Sequence, residues 1–202
     1  MTTAPRPSKV SMRETALKAR KGLTREELLE LSDAVMKNVI SSPEYRDSKV
    51  VAAYVAKSDE VKTEGIIRHS LEAGKRVLVP VSQPESTSLI FSELHDYEKE
   101  LAPGHFGVPE PISLYFRPVP LKEADLILVP LVAWDERGHR LGYGKGYFDS
   151  ALAGVGVPSM TMGLGLESQR MPRIPEEKHD VPLMAVVTER RIIRTDKRRR
   201  RD

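Results

Sequence analysis

The sequence predicts an α/β fold, a three-layer, Rossmann-like domain in which helices flank a mostly parallel central sheet. Short apolar runs typical of buried strands alternate along the chain with segments that have helical spacing. One apolar run, residues 126–134, leads through a proline and an acid into a glycine-rich basic loop. That order is typical of a buried strand that delivers a phosphate-binding loop to the start of a helix.

The first part of the chain is predicted to be helical. Residues 8–21 can form a helix that ends at Gly22. A second helix begins at Thr24, where Glu27 completes a capping box, and apolar residues recur at helical spacing until Pro43 ends the segment. Residues 1–7 contain two prolines and no periodic pattern, so we expect them to be frayed.

Strands and helices then alternate. Helices are predicted at residues 63–73, ended by Gly74, and at residues 147–152; strands are predicted at residues 49–55, 76–81 (ending in Pro80), 89–94, 126–129, 159–163 and 184–188. Residues 96–124 form a long irregular segment with five prolines, a length that indicates a role at a site. Because ligands of parallel sheets bind beyond the carboxyl ends of the strands, we expect residues 55–60, residues 130–135 and the glycine loop to lie together.

The composition is that of one globular domain. Of 202 residues, 40% are hydrophobic and 30% are charged, and the net charge is +3, which is ordinary for a soluble protein. We expect a single domain over residues 1–189 and a basic, disordered tail over residues 190–202. There is no cysteine, which excludes disulfides, thiolate chemistry and cysteine-ligated zinc.

The sequence indicates a cytoplasmic protein without a membrane partner. Its N-terminus lacks the apolar segment of a signal peptide, and its longest apolar run is too short to cross a bilayer. The absence of cysteine fits a reducing compartment. We expect the arginine-rich tail to be solvated, with RNA contact through it as the alternative, and the protein to be a monomer or a weak dimer.

The glycine loop carries the strongest chemical signal. Backbone N–H groups are left uncovered at three alternate glycines, Gly142, Gly144 and Gly146. Arg140 and Lys145 add positive charge beside them, and Asp149 can hold a metal ion at the far end. The pattern G-x-G-x-G matches neither the dinucleotide motif nor the P-loop. By themselves the residues indicate a phosphate site, the alternative being a tight turn with solvated charges.

The string RLGYGKGYFD, which follows a strand ending VPLVAWDERG, resembles the hallmark of the 5-formyltetrahydrofolate cyclo-ligase family, also called methenyltetrahydrofolate synthetase. Three other places agree in the same order along the chain. Lys9 and Arg13 resemble the N-terminal nucleotide contact of the family, residues 59–63 its D-E-x-x-T segment, and residues 105–111 its F-G-I-x-E-P segment. The resemblance covers nearly the whole chain.

The resemblance implies a ligase that forms a C–N bond, with ATP as co-substrate, Mg2+ as cofactor and a reduced folate as the other substrate. ATP phosphorylates the formyl oxygen of 5-formyltetrahydrofolate, and ring closure gives 5,10-methenyltetrahydrofolate, ADP and phosphate. Lys145 and Arg140 are the implied catalytic residues. The implied ATP contacts are Lys9, Arg13, Arg140, Gly142, Tyr143, Gly144, Lys145, Gly146, Tyr147 and Phe148. The implied folate contacts are Val55, Glu60, Tyr143 and Tyr147, and the metal ligands are Asp149 and Asp180.

Some residues depart from the family pattern. Tyr143 stands where a basic or small residue is common, Phe148 replaces the second tyrosine of a Y-Y-D ending, and Lys62 replaces an acid or polar residue. These departures leave open a paralogue that uses the same ATP site on another substrate. We also expect Asp135 to brace the loop through Arg140, and Trp134 to belong to the core or the pocket wall. Each acid has a simpler alternative role as a cap or turn residue.

Overall fold

The computed structural model describes residues 8–155 and 159–195. In these two ranges there are six α-helices: α1 (Lys9–Lys21), α2 (Arg25–Ser41), α3 (Pro43–Asp47), α4 (Glu64–Glu72), α5 (Tyr97–Glu100) and α6 (Tyr147–Ala153). The strands of the same ranges are β1 (Val50–Ala53), β2 (Arg76–Gln83), β3 (Ser88–Leu94), β4 (Leu101–Pro103), β5 (Pro109–Pro111), β6 (Leu126–Pro130), β7 (Ala133–Trp134), β8 (Arg140–Leu141), β9 (Met160–Leu164), β10 (Ala185–Val187) and β11 (Ile192–Arg194).

A seven-stranded sheet with the order β11-β10-β9-β6-β1-β2-β3 forms the centre of the fold. The inner pairs, from β10 across β9, β6 and β1 to β2, are parallel. Both edge strands, β3 and β11, run antiparallel to their neighbours. The predicted α/β class with a mostly parallel sheet is confirmed. Strand β6 lies at the middle of the sheet, where its first four residues, all apolar, are buried.

Helices cover both faces of the sheet, which gives three layers. On one face, Val35 of α2 and Ile66 of α4 pack in the same cluster as Leu128 of β6. On the other face, Leu152 of α6 packs with the neighbouring strand residue Ile127. Successive side chains of the central strands point into the two apolar clusters in turn, so both faces of these strands are buried. This explains why their sequences are continuous apolar runs.

Local signals in the sequence predicted most helix ends correctly. The capping box of Thr24 and Glu27 is present at α2, and Ser8 caps α1 by accepting a hydrogen bond from the N–H of Ser11. Gly74 follows α4 with a left-handed φ of 71°. Pro43 does more than end a helix, because it begins the short helix α3, where its missing N–H costs nothing.

The predicted end of the second strand at Pro80 is wrong. Strand β2 continues to Gln83 as a long antiparallel partner of β3, with Pro80 opposite Phe91. Pairing of β2 with β1 ends at Leu78, so the missing N–H of Pro80 removes no bond to β1. A proline beyond the end of the inner pairing is therefore compatible with a strand.

The tail predicted to be disordered from residue 190 onwards includes a strand of the sheet, and the domain boundary at residue 189 stays a prediction. Strand β11 lies beyond it and pairs with β10, while Arg191 contacts Glu167 at 2.9 Å and Arg194 contacts Glu44 at 2.7 Å. Charge composition suggested a tail, but pairing with an existing sheet edge orders this segment. The remaining tail, residues 196–202, and the predicted frayed start, residues 1–7, lie outside the described residues. Over the two described ranges, the helices fall short of the length and apolarity that a bilayer span requires.

Two small hairpins complete the structure near the sheet's carboxyl edge. Strands β4 and β5 pair within the segment predicted to be irregular, and β7 pairs with β8 just before the glycine loop. Helix α1 packs on the β7–β8 hairpin, where Met12 and Ala16 join a cluster with Ala133 and Leu141. This packing brings the N-terminal helix beside the glycine loop, which sequence spacing does not reveal.

Candidate active site

A cavity of about 630 Å³ lies at the carboxyl ends of the inner strands. Its wall includes Val55 after β1, Ser82 at the end of β2, Pro130 at the end of β6, and the whole glycine loop. The predicted convergence of these segments is confirmed. The volume falls within the range of small-molecule sites, and an open α/β sheet places such a site at this edge.

The glycine loop presents free backbone donors to the cavity. In the described part of the chain, no backbone N–H of residues 142–146 donates to a backbone carbonyl. Gly144 and Gly146 adopt left-handed φ values of 91° and 72°, which only glycine adopts without strain. Arg13 of α1 donates from Nε to the carbonyl oxygen of Gly142 at 2.7 Å, and a Cβ on Gly144 would lie 3.4 Å from the Arg13 guanidinium carbon. Loop and helix α1 therefore form one unit.

The two predicted catalytic cations are placed differently. Lys145 is exposed in the cavity, and its Nζ lies 3.7 Å from the centre of the Phe106 ring. The Arg140 side chain is buried and donates to Asp149 Oδ1 at 3.0 Å and to the carbonyl oxygen of Val181 at 2.8 Å. Burial lowers the pKa of Arg140, and the neighbouring Asp149 partly offsets this effect. Arg140 thus holds Asp149 in place, and its contact with phosphate stays a prediction.

The two predicted metal ligands both line the cavity, each already paired with a cation. Asp149 Oδ1 accepts from Arg140 and, at 3.3 Å, from the N–H of Val181. Asp180 Oδ2 accepts from Lys9 Nζ at 2.6 Å and from the N–H of Glu177 at 2.8 Å. Burial by itself raises the pKa of Asp180, but the hydrogen bonds from Lys9 and Glu177 and the charge of Lys9 together hold the pKa below its usual value. Each carboxylate keeps one oxygen that is not in these bonds.

The predicted folate contacts all line the cavity, and one of them is a buried carboxylate. Glu60 is buried, and its Oε2 accepts from the N–H of Lys57 at 2.7 Å. Burial raises the pKa of Glu60, because the hydrogen bond from Lys57 and the charge of Arg20 only partly offset the loss of water. Val55 and Tyr147 both line the same cavity. Phe148, predicted to contact ATP, also lines it and packs between the two apolar clusters.

Sequence reasoning missed a buried arginine that organises one side of the cavity. The Arg20 side chain is 1% exposed, and its Nη2 donates to Asp59 Oδ2 and to the hydroxyl of Tyr143, both at 2.6 Å. The hydroxyl of Tyr143 also lies 3.3 Å from Asp59, and Lys57 lies over the Tyr143 ring. Tyr143, which departs from the family pattern, is therefore part of a hydrogen-bonded network with Arg20 and Asp59. A signal existed in the sequence, because Arg20 continues the buried i, i+4 row of Met12 and Ala16 on α1.

The predicted brace between Asp135 and Arg140 is wrong. Buried Asp135 pairs with Arg137 at 2.8 Å and accepts hydrogen bonds from the N–H groups of three residues, Arg137, His139 and Ile174. The carboxylate therefore ties the β7–β8 turn to residue 174, while Arg140 donates to Asp149 and Val181 instead. Trp134 is fully buried, as expected of a core residue, and donates from Nε1 to the carbonyl oxygen of Leu166.

Fold and site together define a class of protein, an α/β protein whose glycine loop and cations suit a phosphate-bearing ligand at the sheet's carboxyl edge. Residues 5–189 match the model of the 5-formyltetrahydrofolate cyclo-ligase family. The chain belongs to this family, and its members are ligases. The resemblance inferred from the glycine loop is thereby confirmed.

Relatives and a solved structure agree with the family assignment. The 5-formyltetrahydrofolate cyclo-ligase of Escherichia coli (strain K12) is 34% identical over 172 residues, which cover 84% of this chain and 93% of the relative. The enzyme of the same name from Mus musculus is 31% identical over 177 residues, which cover 84% and 87%. The structure of Aquifex aeolicus 5,10-methenyltetrahydrofolate synthetase aligns with a TM-score of 0.81 and 32% identity, covering 94% of this chain and 93% of that one.

Proposed function

We propose that the protein catalyses the ATP-dependent cyclisation of 5-formyltetrahydrofolate to 5,10-methenyltetrahydrofolate, with release of ADP and phosphate. One observation carries this proposal. The uncommitted N–H groups of the glycine loop and the buried carboxylate of Glu60 line the same cavity, about 630 Å³ in volume. A phosphate cradle and an acceptor for a pterin edge are thus within one site, as a reaction between ATP and a folate requires.

The chemistry needs positioning more than acid–base catalysis. The formamide oxygen of the substrate is a poor leaving group. Transfer of the γ-phosphoryl group to that oxygen makes it a good one. N10 then attacks the same carbon and loses its proton, and the C–O bond breaks to release phosphate. The protein's task is to hold the two substrates in line and to stabilise charge on the transferring group.

The loop and helix α1 supply the charge. N–H groups of residues 142–146 donate to phosphate oxygens, and Lys145 stabilises the moving phosphoryl group, an effect worth about 3–4 kcal/mol for a preorganised donor. Arg13 holds the loop through Gly142 and keeps a guanidinium beside Gly144. Lys9 acts with its partner Asp180, and Arg140 acts by orienting Asp149.

Asp149 and Asp180 are the proposed Mg2+ ligands. Both side chains are partly exposed in the cavity, and each has an oxygen outside its ion pair. Mg2+ prefers one or two carboxylates together with phosphate oxygens and water, so this donor set fits it. When bound, the ion neutralises charge on the ATP phosphates.

The folate is placed beside Glu60 in the same cavity. Glu60 accepts from the amide and amino N–H groups of the pterin, and donors of that kind stabilise the ionised carboxylate against the effect of burial. Val55 and Tyr147 form the apolar wall, and Tyr143 closes the side through its hydroxyl network with Arg20. We expect the protein to act in the cytoplasm as a monomer or weak dimer.

A turnover assay tests this function. Purified protein given ATP, Mg2+ and 5-formyltetrahydrofolate should produce the absorbance of methenyltetrahydrofolate, and omission of ATP should abolish it. Lys145→Ala should lower kcat by about 10²–10³-fold with an unchanged unfolding temperature. Lys122→Ala, an exposed lysine outside the cavity lining, is the matched control. Near-normal turnover by Lys145→Ala would remove Lys145 from the mechanism.

A paralogue that uses the same ATP site on another substrate is the second candidate. The observation that favours it is Tyr143, whose ring and hydroxyl are fixed by Lys57, Asp59 and Arg20 on the proposed folate side. ATP binding without any response to formylfolates would support this candidate. RNA binding through the tail stays an alternative; Arg191 and Arg194 form ion pairs within the fold, and residues 196–202 lie outside the described residues.

A further inference from the structure

A strained turn carries an exposed aromatic ring into the cavity. Phe106 lies between β4 and β5 with φ 56° and ψ 22°, and Gly107 follows with φ 72°. A bulky residue in the left-handed region is a genuine outlier, and such strain persists only where the surroundings hold it. Phe106 is 45% exposed and lines the cavity. Burial of this ring in the core therefore does not explain the strain.

A buried carboxylate holds this turn. Glu110 accepts from His105 Nδ1 at 3.0 Å and from the N–H of Ser82 at 2.9 Å, and its Oε2 lies 3.4 Å from the N–H of His105. Gly104 donates to the carbonyl oxygen of Val108 at 2.9 Å, and a Cβ at Gly104 would lie 2.7 Å from Glu110 Oε2. The segment that resembles F-G-I-x-E-P therefore fixes the Phe106 backbone to strand β2.

The ring that this turn presents meets the proposed catalytic lysine. Lys145 Nζ lies 3.7 Å from the Phe106 ring centre, and the Tyr147 ring lies 6.0 Å away from the same centre. Lys145 stands between two glycines that offer it no side-chain support. Within residues 8–155 and 159–195, no hydrogen bond or ion pair restrains the Lys145 ammonium. Because lysine has a flexible four-carbon stem, the ring is the contact that limits its motion.

We propose that Phe106 is a positioning residue, whose ring holds the Lys145 ammonium in the cavity so that a phosphate group meets a cation already in place. This inference rests on the proposed function, since it names how the ATP site is prepared. An ammonium that lies over a ring face keeps N–H donors on its other side, where they can reach phosphate oxygens. Restraining the side chain before binding reduces the entropy lost on binding.

A double-mutant cycle on ATP affinity tests the inference, measured by calorimetry on the full chain. Phe106→Leu should weaken ATP binding about twofold to thirtyfold, the range that a cation–π contact supports. Phe106→Tyr, which keeps the ring, should bind like the unchanged protein. Phe116→Leu, a comparably exposed phenylalanine outside the cavity lining, is the matched control. In a Lys145→Ala background, Phe106→Leu should cause no further weakening.

Two results would overturn the inference. Equal losses with and without Lys145 would show that the ring contacts the ligand itself, and tighter ATP binding by Phe106→Leu would show that the ring withholds the ammonium. Phe106→Gly removes the ring while relieving the left-handed strain, so its weakened ATP binding should appear without a lower unfolding temperature. Protein that binds ATP but converts no 5-formyltetrahydrofolate refutes the proposed function alone, whereas additive losses refute this inference alone.

Discussion

Replacing Arg20 with methionine tests whether the buried network behind the cavity stabilises the fold. Arg20→Met keeps the apolar length of the side chain and removes the guanidinium. The change deletes the 2.6 Å bonds to Asp59 and to the Tyr143 hydroxyl, together with a longer 3.4 Å contact to the carbonyl oxygen of Leu131. We expect a less stable protein in which the glycine loop loses its anchor at position 143.

The size of the effect follows from opposing contributions. A hydrogen bond to a charged group stabilises by about 1.5–3 kcal/mol, and the Arg20–Asp59 bond is of this kind. Asp59 is 33% exposed, so water replaces part of the lost bond. The Arg20 Nε has no partner in the described structure, and removing this buried donor relieves a penalty of about 1–3 kcal/mol. Once the Tyr143 bond is added, the net loss in unfolding free energy is about 2 kcal/mol, or about 4–8 °C in unfolding temperature.

Urea unfolding and thermal melting of Arg20→Met measure this loss. Lys21→Met, the adjacent and exposed position on the same helix, is the control and should change stability by less than about 0.5 kcal/mol. Tyr143→Phe keeps the Arg20–Asp59 pair and should cost about 1 kcal/mol. If Arg20→Met were as stable as its control, the unpartnered Nε would offset the whole network, and the argument for a stabilising anchor would be refuted.

Three further predictions concern pH, the loop and the C-terminal strand. Burial raises the pKa of Glu60 above 4.5, so the folded protein binds the proton of this carboxyl more tightly than the unfolded chain does. The contribution of that proton to folding stability is complete at acid pH and is lost as the pH rises through the pKa of the folded state. Glu60→Gln should therefore lose less stability than the unchanged protein as urea unfolding is repeated from pH 4.5 towards neutrality, and parallel curves would contradict this. Gly144→Ala places a side chain at φ 91° and should weaken ATP binding about tenfold by calorimetry, whereas Gly154→Ala, at φ −86°, should not. Truncation after Thr188 removes β11 and exposes the β10 edge, so melting and size-exclusion runs should show destabilisation and association; truncation after Thr195 should show neither.

Elements that depend on neighbouring residues were predictable. Thr24 and Glu27 cap α2 because their bonds span three residues, and β6 is buried on both faces because its residues are apolar without interruption. The same locality explains the errors. A proline usually ends a helix or an inner strand. Pro80 is tolerated within β2 because the pairing of β2 with β1 has already ended at Leu78, and the end of β1 is not visible from the residues around Pro80. Strand β11 is short and lies in an arginine-rich segment, and it pairs with the edge that β10 offers.

The sequence by itself determined the fold class, the family and the loop that carries the chemistry, because apolar periodicity and alternate glycines act within a few residues along the chain. Only the tertiary structure decided which charges meet. Arg20 reaches Asp59 across 39 positions and Tyr143 across 123, while Arg140 selects Asp149 instead of Asp135. Partner choice depends on distance and burial after the layers have packed, and no local pattern specifies those quantities.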